Sequence, residues 1–298
     1  MNRPVIQCLA SSANDAARLA ALLDVPVRTI DVHRFPDGEL RVTVGAAAPT
    51  TIVYASLDQP NEKLLTLLFA AEALRRGGAK RLVLLAPYLC YMRQDTAFHP
   101  GEAISQKVMG RLIAGDFDRV ITVDAHLHRT GKIEDVFAGI EAEDLSAMPA
   151  IAEFLAAQGR AAGAIVVGPD AESEPWVRDL AGRLGVEHAV ARKVRHDDRS
   201  VELTFADPAL FKERPVILVD DIVSSGGTLI ACAKALLAAG AASVDAIVTH
   251  ALFPADMMAS FKANGLSSIR STHSVPHPTN AIELDAMFAE ALHKELIA

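Results

Sequence analysis

Residues 216 to 229 read Val-Ile-Leu-Val-Asp-Asp-Ile-Val-Ser-Ser-Gly-Gly-Thr-Leu, and no other stretch of the chain is as informative. The apolar run at 216–219 predicts a strand that is buried on both faces. Asp220 and Asp221 come directly after this run, and an alanine- and leucine-rich helix is predicted to begin near Leu229. A buried strand, a turn of small residues and a helix, in this order, favour an α/β fold.

The turn between this strand and this helix has the composition of a phosphate-binding loop. It consists of Ser224, Ser225, Gly226, Gly227 and Thr228. Such a turn can direct successive backbone N–H groups and three hydroxyls at one anion, helped by the helix N-terminus. The carboxylates of Asp220 and Asp221 can accept hydrogen bonds from sugar hydroxyls or hold a divalent metal through water. The stretch therefore predicts a sugar-phosphate site, against the alternative of an ordinary strand–turn–helix with solvated acids.

The composition limits the class of protein. A length of 298 residues predicts about two domains, and no apolar run reaches the roughly 18 residues that a membrane span needs. Three cysteines in apolar stretches, and an N-terminus that leads directly into a predicted strand, indicate a cytoplasmic protein without a signal peptide. The net charge of −8 argues against non-specific nucleic-acid binding, so an anionic substrate must meet local positive charge.

The chain contains an internal repeat. Residues 66–86 match residues 228–248 without a gap: each stretch carries a helix, a glycine stop at Gly78 or Gly240, and a following strand. In the first half, the counterpart of the acidic turn, residues 56–63, has lost both the Asp-Asp and the Gly-Gly pair. Two related α/β halves are therefore predicted, of which only the second keeps a sugar-phosphate loop.

Strand candidates alternate with helices along the whole chain. They lie at 5–9, 51–55, 82–86, 120–123, 165–167, 216–219 and 244–249. This alternation predicts parallel sheets with helical crossovers, and ligands then bind at the carboxyl ends of the strands. Residues 143–149 are predicted as a connection into a helix, which divides the chain into domains 1–145 and 146–298.

Two segments of the first half carry residues that suit a nucleotide. Arg34-Phe35-Pro36-Asp37-Gly38-Glu39 precedes an alternating run, although Pro-Asp-Gly is equally well a plain turn. The segment from Tyr88 to Asp95 combines an aromatic face with Arg93 and Gln94. A fixed cation and an amide beside aromatic rings suit a nucleotide and its phosphates.

Two further strand ends offer metal ligands. Asp124, His126 and His128 would lie on one side of the chain if it stays extended, as metal ligands or as hydrogen-bonded structural residues. Asp170, in Gly-Pro-Asp, ends the corresponding strand of the second half and could supply an oxygen ligand. Mg²⁺ prefers such carboxylates together with water and substrate phosphate, whereas a His ligand is less usual for it.

The densest cationic stretch of this acidic protein is Ala191 to Arg199, with four Lys or Arg residues and two Asp residues. Lys193 and Arg195 lie within it. If the stretch is functional, it forms a mobile arm that closes over the transferring phosphates. The alternative is a solvated hairpin face.

These motifs together resemble ribose-phosphate pyrophosphokinases over nearly the whole chain, and the length is close to that of the compact members. In order, the motifs are Phe-Pro-Asp-Gly-Glu, Tyr-x-x-Tyr-x-Arg-Gln-Asp, Asp-x-His, Gly-Pro-Asp, Lys-x-Arg and the loop at 220–228. Type I phosphoribosyltransferases would share only the last motif. The resemblance implies two tandem type I phosphoribosyltransferase-like domains, each a mainly parallel sheet flanked by helices and related by internal duplication. The first would be the nucleotide side and the second would carry the ribose 5-phosphate loop.

The resemblance also implies substrates and site residues. The family transfers the pyrophosphoryl group of ATP to the 1-hydroxyl of ribose 5-phosphate, giving phosphoribosyl pyrophosphate (PRPP) and AMP. In the homo-oligomers of this family, adenine would be contacted from a neighbouring subunit by Phe35, Asp37 and Glu39, and Arg93 and Gln94 would complete the ATP site. Mg²⁺ would be held by His126 and Asp170, and the catalytic residues would be Lys193 and Arg195. Ribose 5-phosphate would be bound by Asp220, Asp221, Ser224, Ser225, Gly226, Gly227 and Thr228.

One departure from the family pattern keeps two other functions open. After Gly-Pro-Asp the family usually has a glycine two or three residues on, whereas this chain continues Ala171-Glu172-Ser173-Glu174. Carboxylates there would oppose a pyrophosphate, unless residues 172–175 form the first turn of a helix and face outward. The alternatives are a catalytically silent regulatory paralogue, and a diphosphotransferase with a different acceptor or nucleotide.

Overall fold

The computed structural model describes residues 3–195 and 201–297, and at 193–195 and 201–202 it describes the backbone alone. Residues 3–145, 274–276 and 284–297 form a first unit, and residues 146–273 and 277–283 belong to a second. No helix in these described ranges has the length and apolarity that crossing a bilayer requires.

The strands and helices alternate in chain order. The strands are β1 (Val5–Cys8), β2 (Val27–Thr29), β3 (Asp31–Arg34), β4 (Leu40–Thr43), β5 (Thr50–Tyr54), β6 (Arg81–Ala86), β7 (Arg119–Val123), β8 (Glu141–Leu145), β9 (Ile165–Gly168), β10 (Glu187–Val190), β11 (Arg192–Arg195), β12 (Val201–Thr204), β13 (Pro215–Val223), β14 (Ser243–Ala251), β15 (Ser268–Thr272) and β16 (Asn280–Ile282). The helices are α1 (Ala13–Leu23), α2 (Pro60–Arg76), α3 (Ser105–Ala114), α4 (Met148–Ala157), α5 (Glu174–Leu184), α6 (Gly227–Ala238), α7 (Met257–Ala263) and α8 (Asp285–Ile297).

The two units have the same sheet topology. The first has a parallel sheet in the order β2-β1-β5-β6-β7-β8, and the second has a parallel sheet in the order β10-β9-β13-β14-β15-β16. In each unit an antiparallel hairpin is inserted at the same point of the chain. The hairpin β3–β4 lies between β2 and β5, and the hairpin β11–β12 lies between β10 and β13. The predicted α/β class with two mainly parallel sheets is therefore confirmed.

The strand register places the repeat residue by residue. In the first sheet Val5 pairs with Thr51, and Thr51 pairs with Leu82. In the second sheet Val216 pairs with both Ile165 and Val244. Leu82 and Val244 thus hold the same position in the two sheets, as the gapless sequence match predicts.

The structure differs from the sequence-based expectation in the extent of two strands. The strand predicted at 216–219 continues to Val223, so Asp220 and Asp221 lie within β13 and not in the turn after it. The predicted connection at 143–149 begins inside a strand, because β8 pairs with β7 as far as Leu145. Backbone hydrogen bonding to a neighbouring strand extends β13 past its apolar run and forms β8 without one.

The last helix, α8, does not belong to the second unit although domain 146–298 was predicted to include it. It packs against α1, where Arg18 Nε donates to Asp285 at 2.8 Å. Phe288 meets Tyr54 of β5 edge to face, with ring centroids 6.2 Å apart. The amphipathic pattern of α8 shows that it covers an apolar surface but does not specify which sheet supplies that surface.

Candidate active site

The loop after β13 is built around one glycine that no other residue can replace without strain. Gly226 has φ 69° and caps the N-terminus of α6, which begins at Gly227. A Cβ atom on Gly226 would lie 2.3 Å from Cε1 of the buried Phe261. By contrast, a Cβ on Gly227 would meet nothing closer than Ser225 Oγ at 4.0 Å. The close approach of Phe261 therefore fixes the shape of the loop.

The predicted sugar-phosphate residues surround a small cavity of about 90 Å³, which is lined by Asp220, Ile222, Val223, Ser224, Ser225, Gly226, Gly227, Thr228 and Leu229. The side chains of Ser224, Ser225 and Thr228 are exposed, and Asp220 is half-buried. Asp221 does not line the cavity: it is buried, and its Oδ1 accepts the Ile222 N–H at 2.7 Å. Six of the seven predicted residues thus share the cavity wall, and Asp221 lies outside it.

Asp170 lies next to this loop at the same edge of the sheet, because β9 and β13 are parallel neighbours. Burial raises the pKa of the Cys232 thiol to about 12, and the charges of Asp220 and Asp170 add to the rise. Both carboxylates are therefore close enough to act on one thiol in α6. Asp170 Oδ1 accepts the Glu172 N–H at 3.2 Å and so orders the turn that follows.

The turn after Asp170 carries Glu172 and Glu174, the acidic residues that depart from the family pattern. Residues Ala171–Ser173 form a short 3-10 helix, and α5 begins at Glu174 with Pro175 in its first turn. Ser173 is buried, and its Oγ donates to the Asp170 carbonyl at 2.6 Å. The side chain of Glu172 is exposed, and Glu174 forms an ion pair with Arg178 one helical turn further on. The outward-facing arrangement of these acids is thus the one observed, although the α-helix starts two residues later than predicted.

The cationic hairpin starts beside the same strand end. The Ala191 N–H donates to the Gly168 carbonyl at 2.9 Å, directly before β11 begins. The backbones of Lys193 and Arg195 are paired with Leu203 and Val201 across the hairpin. The side chains of Lys193 and Arg195, and the residues 196–200 between the strands, lie outside the described part of the chain.

In the first unit, the loops after β6 and β7 are tied together at the carboxyl edge of the sheet. Asp95 Oδ1 accepts Arg129 Nη1 at 2.9 Å, and its Oδ2 accepts the Arg129 N–H at 3.1 Å. Gln94 Nε2 donates to Glu102 at 3.2 Å, whereas the side chain of Arg93 is exposed. Two predicted ATP residues therefore sit on a loop that an ion pair and an amide hold in place.

The Asp-x-His segment bends where an extended chain was assumed. Asp124 is buried and has φ 39°, so the period-two argument for one shared side is wrong. The rings of His126 and His128 nevertheless come together, with His128 Nε2 3.1 Å from His126 Nδ1. A left-handed backbone conformation at a non-glycine residue needs contacts that stabilise it. Here the Asp124 N–H donates to the Leu145 carbonyl at 2.9 Å.

Asp144, at the end of β8, lies beside the Asp-x-His segment and was not singled out from the sequence. Its Oδ1 accepts the Ala125 N–H at 2.9 Å, next to His126. Burial raises the pKa of Asp144 to about 7, despite this hydrogen bond. The signal that could have found it is its position at a strand end beside the Asp-x-His strand, but β8 has no apolar run to reveal the strand. The pairing of Asp95 with Arg129 was missed because the two residues are distant in sequence.

The segment 34–39 is the turn of the hairpin β3–β4. The Phe35 N–H donates to the Glu39 carbonyl at 2.8 Å, and Asp37 Oδ1 accepts the Glu39 N–H at 3.1 Å. Residues 31–39 are all exposed, and the hairpin is tied to α2 by an ion pair between Arg34 and Glu62. The plain-turn interpretation therefore describes the backbone correctly, and the exposed side chains are open to a partner.

Comparison with known proteins places these features in one family. Residues 5–115 match the family model described as the N-terminal domain of ribose phosphate pyrophosphokinase, and residues 134–270 match the phosphoribosyl transferase domain. The chain is 34% identical to the ribose-phosphate pyrophosphokinase of Methanopyrus kandleri over 92% of its own length and 94% of that protein. It is 30% identical to the enzyme of that name from Methanothermobacter thermautotrophicus, over 97% of this chain and 99% of the relative.

A solved structure shares the fold over nearly the full length. The phosphoribosylpyrophosphate synthetase of Mycobacterium smegmatis superposes with a TM-score of 0.85, covering 98% of both chains at 24% identity. Both units and their order are therefore present in that structure. Taken with the relatives at 30% identity or more, the chain belongs to the ribose-phosphate pyrophosphokinase family.

Proposed function

We propose that this chain transfers the pyrophosphoryl group of ATP to the 1-hydroxyl of ribose 5-phosphate and so forms PRPP and AMP. One observation in the second unit carries the proposal most directly. The loop at 224–228, Asp170 and the start of the cationic hairpin all meet the carboxyl edge of one parallel sheet. That edge is where ligands bind in open α/β sheets.

The loop at 224–228 binds the ribose 5-phosphate in this proposal. The N-terminus of α6 directs backbone N–H groups at the phosphate, and three exposed hydroxyls add hydrogen-bond donors. Asp220, which lines the cavity, accepts hydrogen bonds from the ribose hydroxyls. Holding the 1-hydroxyl in a fixed place lowers the entropic cost of the reaction.

ATP is held by residues of the first unit and by a second copy of the chain. Arg93 and Gln94 contact the nucleotide from the loop after β6, and Phe35, Asp37 and Glu39 of a neighbouring subunit contact the adenine. Lys193 and Arg195 neutralise charge on the β- and γ-phosphates as the 1-hydroxyl attacks the β-phosphorus and AMP leaves. Positioning and charge neutralisation are the main demands of such a transfer.

We propose Mg²⁺ as the metal of the reaction. Among the described residues no group of three or more His, Cys, Asp or Glu side chains is arranged to hold a metal ion. Mg²⁺ needs no such group, because it takes one or two protein ligands and completes its shell with water and substrate phosphates. His126 and the half-buried Asp170 are the proposed ligands. Bound Mg²⁺ would neutralise phosphate charge.

The acids after Asp170 favour an active enzyme over a silent paralogue. A carboxylate about 4 Å from a phosphate would cost about 4 kcal/mol at an effective dielectric of about 20. Glu172 is exposed, however, and Glu174 is paired with Arg178. Ser173 occupies the space beside Gly168, where a Cβ would lie 2.0 Å from its Oγ. The buried Ser173 is thus accommodated because residue 168, five positions earlier, is a glycine.

The direct test is an assay of the purified protein with ribose 5-phosphate, Mg²⁺ and each nucleoside triphosphate in turn, following the nucleoside monophosphate and PRPP. We expect PRPP with ATP, and a loss of at least about a hundredfold in rate when the metal is chelated. No PRPP with any nucleotide at saturating Mg²⁺ would establish the silent paralogue. Faster turnover of another sugar phosphate would establish a different acceptor.

The shared ATP site predicts complementation between inactive variants. Asp37→Ala and Lys193→Ala damage different parts of one site, so a mixed dimer regains one intact site. Freely exchanging subunits should recover roughly a quarter of the wild-type rate, since half of the dimers are mixed and each has one good site.

The matched control is a mixture of Asp37→Ala with Glu39→Ala, which damages the same hairpin twice and should recover nothing. Recovery in neither mixture despite proven exchange, or full activity of a monomer by light scattering, would rule out the shared site.

A further inference from the structure

We propose that the second unit contains a second binding site, separate from the substrates, for a small carboxylate- or phosphate-bearing molecule with an apolar body. The site is a cavity of about 260 Å³ between α4 and the sheet. Its polar wall consists of Arg160, Asp245, Ser268 and Arg270, and its apolar wall includes Phe154, Leu155, Pro215, Ile217 and Ile247. This site goes beyond PRPP formation and does not depend on it.

The first unit shows what fills the equivalent place. There, Glu295 of α8 is buried against the sheet, where Arg81 Nε lies 2.7 Å from its Oε2. Arg119 Nη1, from the next strand, lies 2.9 Å from its Oε1. Both the Glu295 and the Arg119 side chains are only 1% exposed. A carboxylate held by two guanidinium groups is therefore built into this position of the repeat.

The strand register establishes the equivalence. Val83 pairs with Arg119 in the first sheet, and Asp245 pairs with Ser268 in the second. The repeat aligns Leu82 with Val244 and therefore Val83 with Asp245. Their partners, Arg119 and Ser268, thus hold the same position on the same face of the two sheets. The covering helices correspond too: α8 packs on α1, the helix after β1, and α4 packs on α5, the helix after β9.

In the second unit no acid of the helix reaches the cavity. The acid of α4, Glu153, is exposed and does not line it. Arg160 Nη1 lies 3.3 Å from Asp245 Oδ1. The half-buried Arg270 donates from Nη1 to its neighbouring Ile269 carbonyl at 3.1 Å, and no carboxylate among the described residues forms an ion pair with it. Arg270 lies two residues beyond Ser268 on β15 and therefore on the same face, so an external anion would give it the ion pair that Glu295 gives Arg119 in the first unit.

The charge and size of the cavity define the ligand class. Two guanidinium groups against one carboxylate leave a positive wall in a protein of net charge −8. Guanidinium groups bind planar carboxylates and phosphates through paired hydrogen bonds. Drug-sized ligands occupy roughly 300–1,000 Å³, so this smaller cavity suits a small anion with one ring or a short apolar chain.

The cavity is distant from the sugar-phosphate loop. It is lined by Pro215, Val216 and Ile217 at the start of β13, whereas the loop begins after Val223 at the other end of the strand. At about 3.3 Å per residue the two ends are roughly 25 Å apart. A ligand in the cavity is therefore not a substrate in the loop.

The test is calorimetric titration of the full chain with benzoate and with phenyl phosphate, which distinguish carboxylate from phosphate recognition, and with neutral benzyl alcohol. We expect one or both anions to bind more tightly than benzyl alcohol. Arg270→Gln should weaken that binding at least about tenfold, because it removes a charge-assisted hydrogen bond. Arg183→Gln, an exposed arginine of α5 outside the cavity, is the matched control and should leave the affinity unchanged.

A second variant keeps the test decisive if Arg270→Gln folds poorly. Ala162 lines the cavity but is exposed, so Ala162→Trp should block the cavity without disturbing the core. We expect Ala162→Trp to abolish anion binding while PRPP formation continues. The site is refuted if the anions bind no better than benzyl alcohol, or if Arg270→Gln and Ala162→Trp bind them with wild-type affinity.

Discussion

Replacing Lys193 or Arg195 by alanine should lower kcat by roughly 10²–10⁴, because in the proposed mechanism each supplies a positive charge to the phosphates in the transition state. Both residues belong to β11. The KM for ribose 5-phosphate should change little, since we propose that the loop at 224–228 binds that substrate. The measurement is steady-state kinetics with each substrate varied at saturating levels of the other.

Arg192→Ala is the matched control, because Arg192 is an exposed cation of the same strand and lies outside the Lys-x-Arg motif. We expect its kcat to stay within about twofold of wild type, as for most surface substitutions. If Lys193→Ala or Arg195→Ala instead raised the KM for ribose 5-phosphate and left kcat unchanged, the cations would serve ground-state binding and the proposed role would be wrong.

The hairpin that carries Lys193 and Arg195 has a counterpart in the first unit. The β3–β4 hairpin, with Phe35, Asp37 and Glu39 at its turn, occupies the same point in the strand order as β11–β12. The duplication thus gave each unit an arm beside the carboxyl edge of its sheet. In the proposed mechanism one arm recognises adenine across a subunit boundary, and the other acts on the phosphates.

Buried central strands could be predicted from the sequence because they are nearly continuous apolar runs. β5, β6, β7, β9, β13 and β14 were all found in this way, with ends within a few residues except at β13. The edge strands β2 and β10 were missed, since their residues are half-buried or exposed and show no apolar run. Such an edge strand forms because it pairs with one neighbouring strand. Its own residues do not show that this neighbour is there.

The site could be predicted to the extent that its residues form short motifs. The loop at 224–228 was found because phosphate binding needs small residues before a helix. Asp144 was missed because its role depends on a backbone contact with Ala125, nineteen positions earlier in the chain. The separate behaviour of Asp220 and Asp221 was missed because the strand continues through both, so that adjacent side chains point to opposite faces.

Gly226→Ala should both destabilise the protein and weaken ribose 5-phosphate binding, because the backbone there is left-handed and the space beside it is filled. A side chain at φ 69° costs roughly 1–2 kcal/mol. The new Cβ would also lie 2.3 Å from the ring of Phe261, and overpacking of this kind typically costs 1–3 kcal/mol. Phe261 cannot turn aside easily, since it is buried and meets Phe253 edge to face with centroids 4.9 Å apart.

The expected loss is therefore about 2–5 kcal/mol in the free energy of unfolding, together with a raised KM for ribose 5-phosphate. Gly227→Ala is the matched control: it adds the same methyl group one residue later, in helical backbone with open space, and should change stability by no more than about 0.5 kcal/mol. Urea unfolding of both variants gives the comparison.

A double variant tests the contact with Phe261. In a Phe261→Leu background, Gly226→Ala should lower the free energy of unfolding by less than it does in the wild type, because the smaller side chain removes the ring contact. Equal stability of Gly226→Ala and Gly227→Ala would show that Phe261 does not fix the loop, and the assignment of this loop as a rigid phosphate cradle would have to be withdrawn.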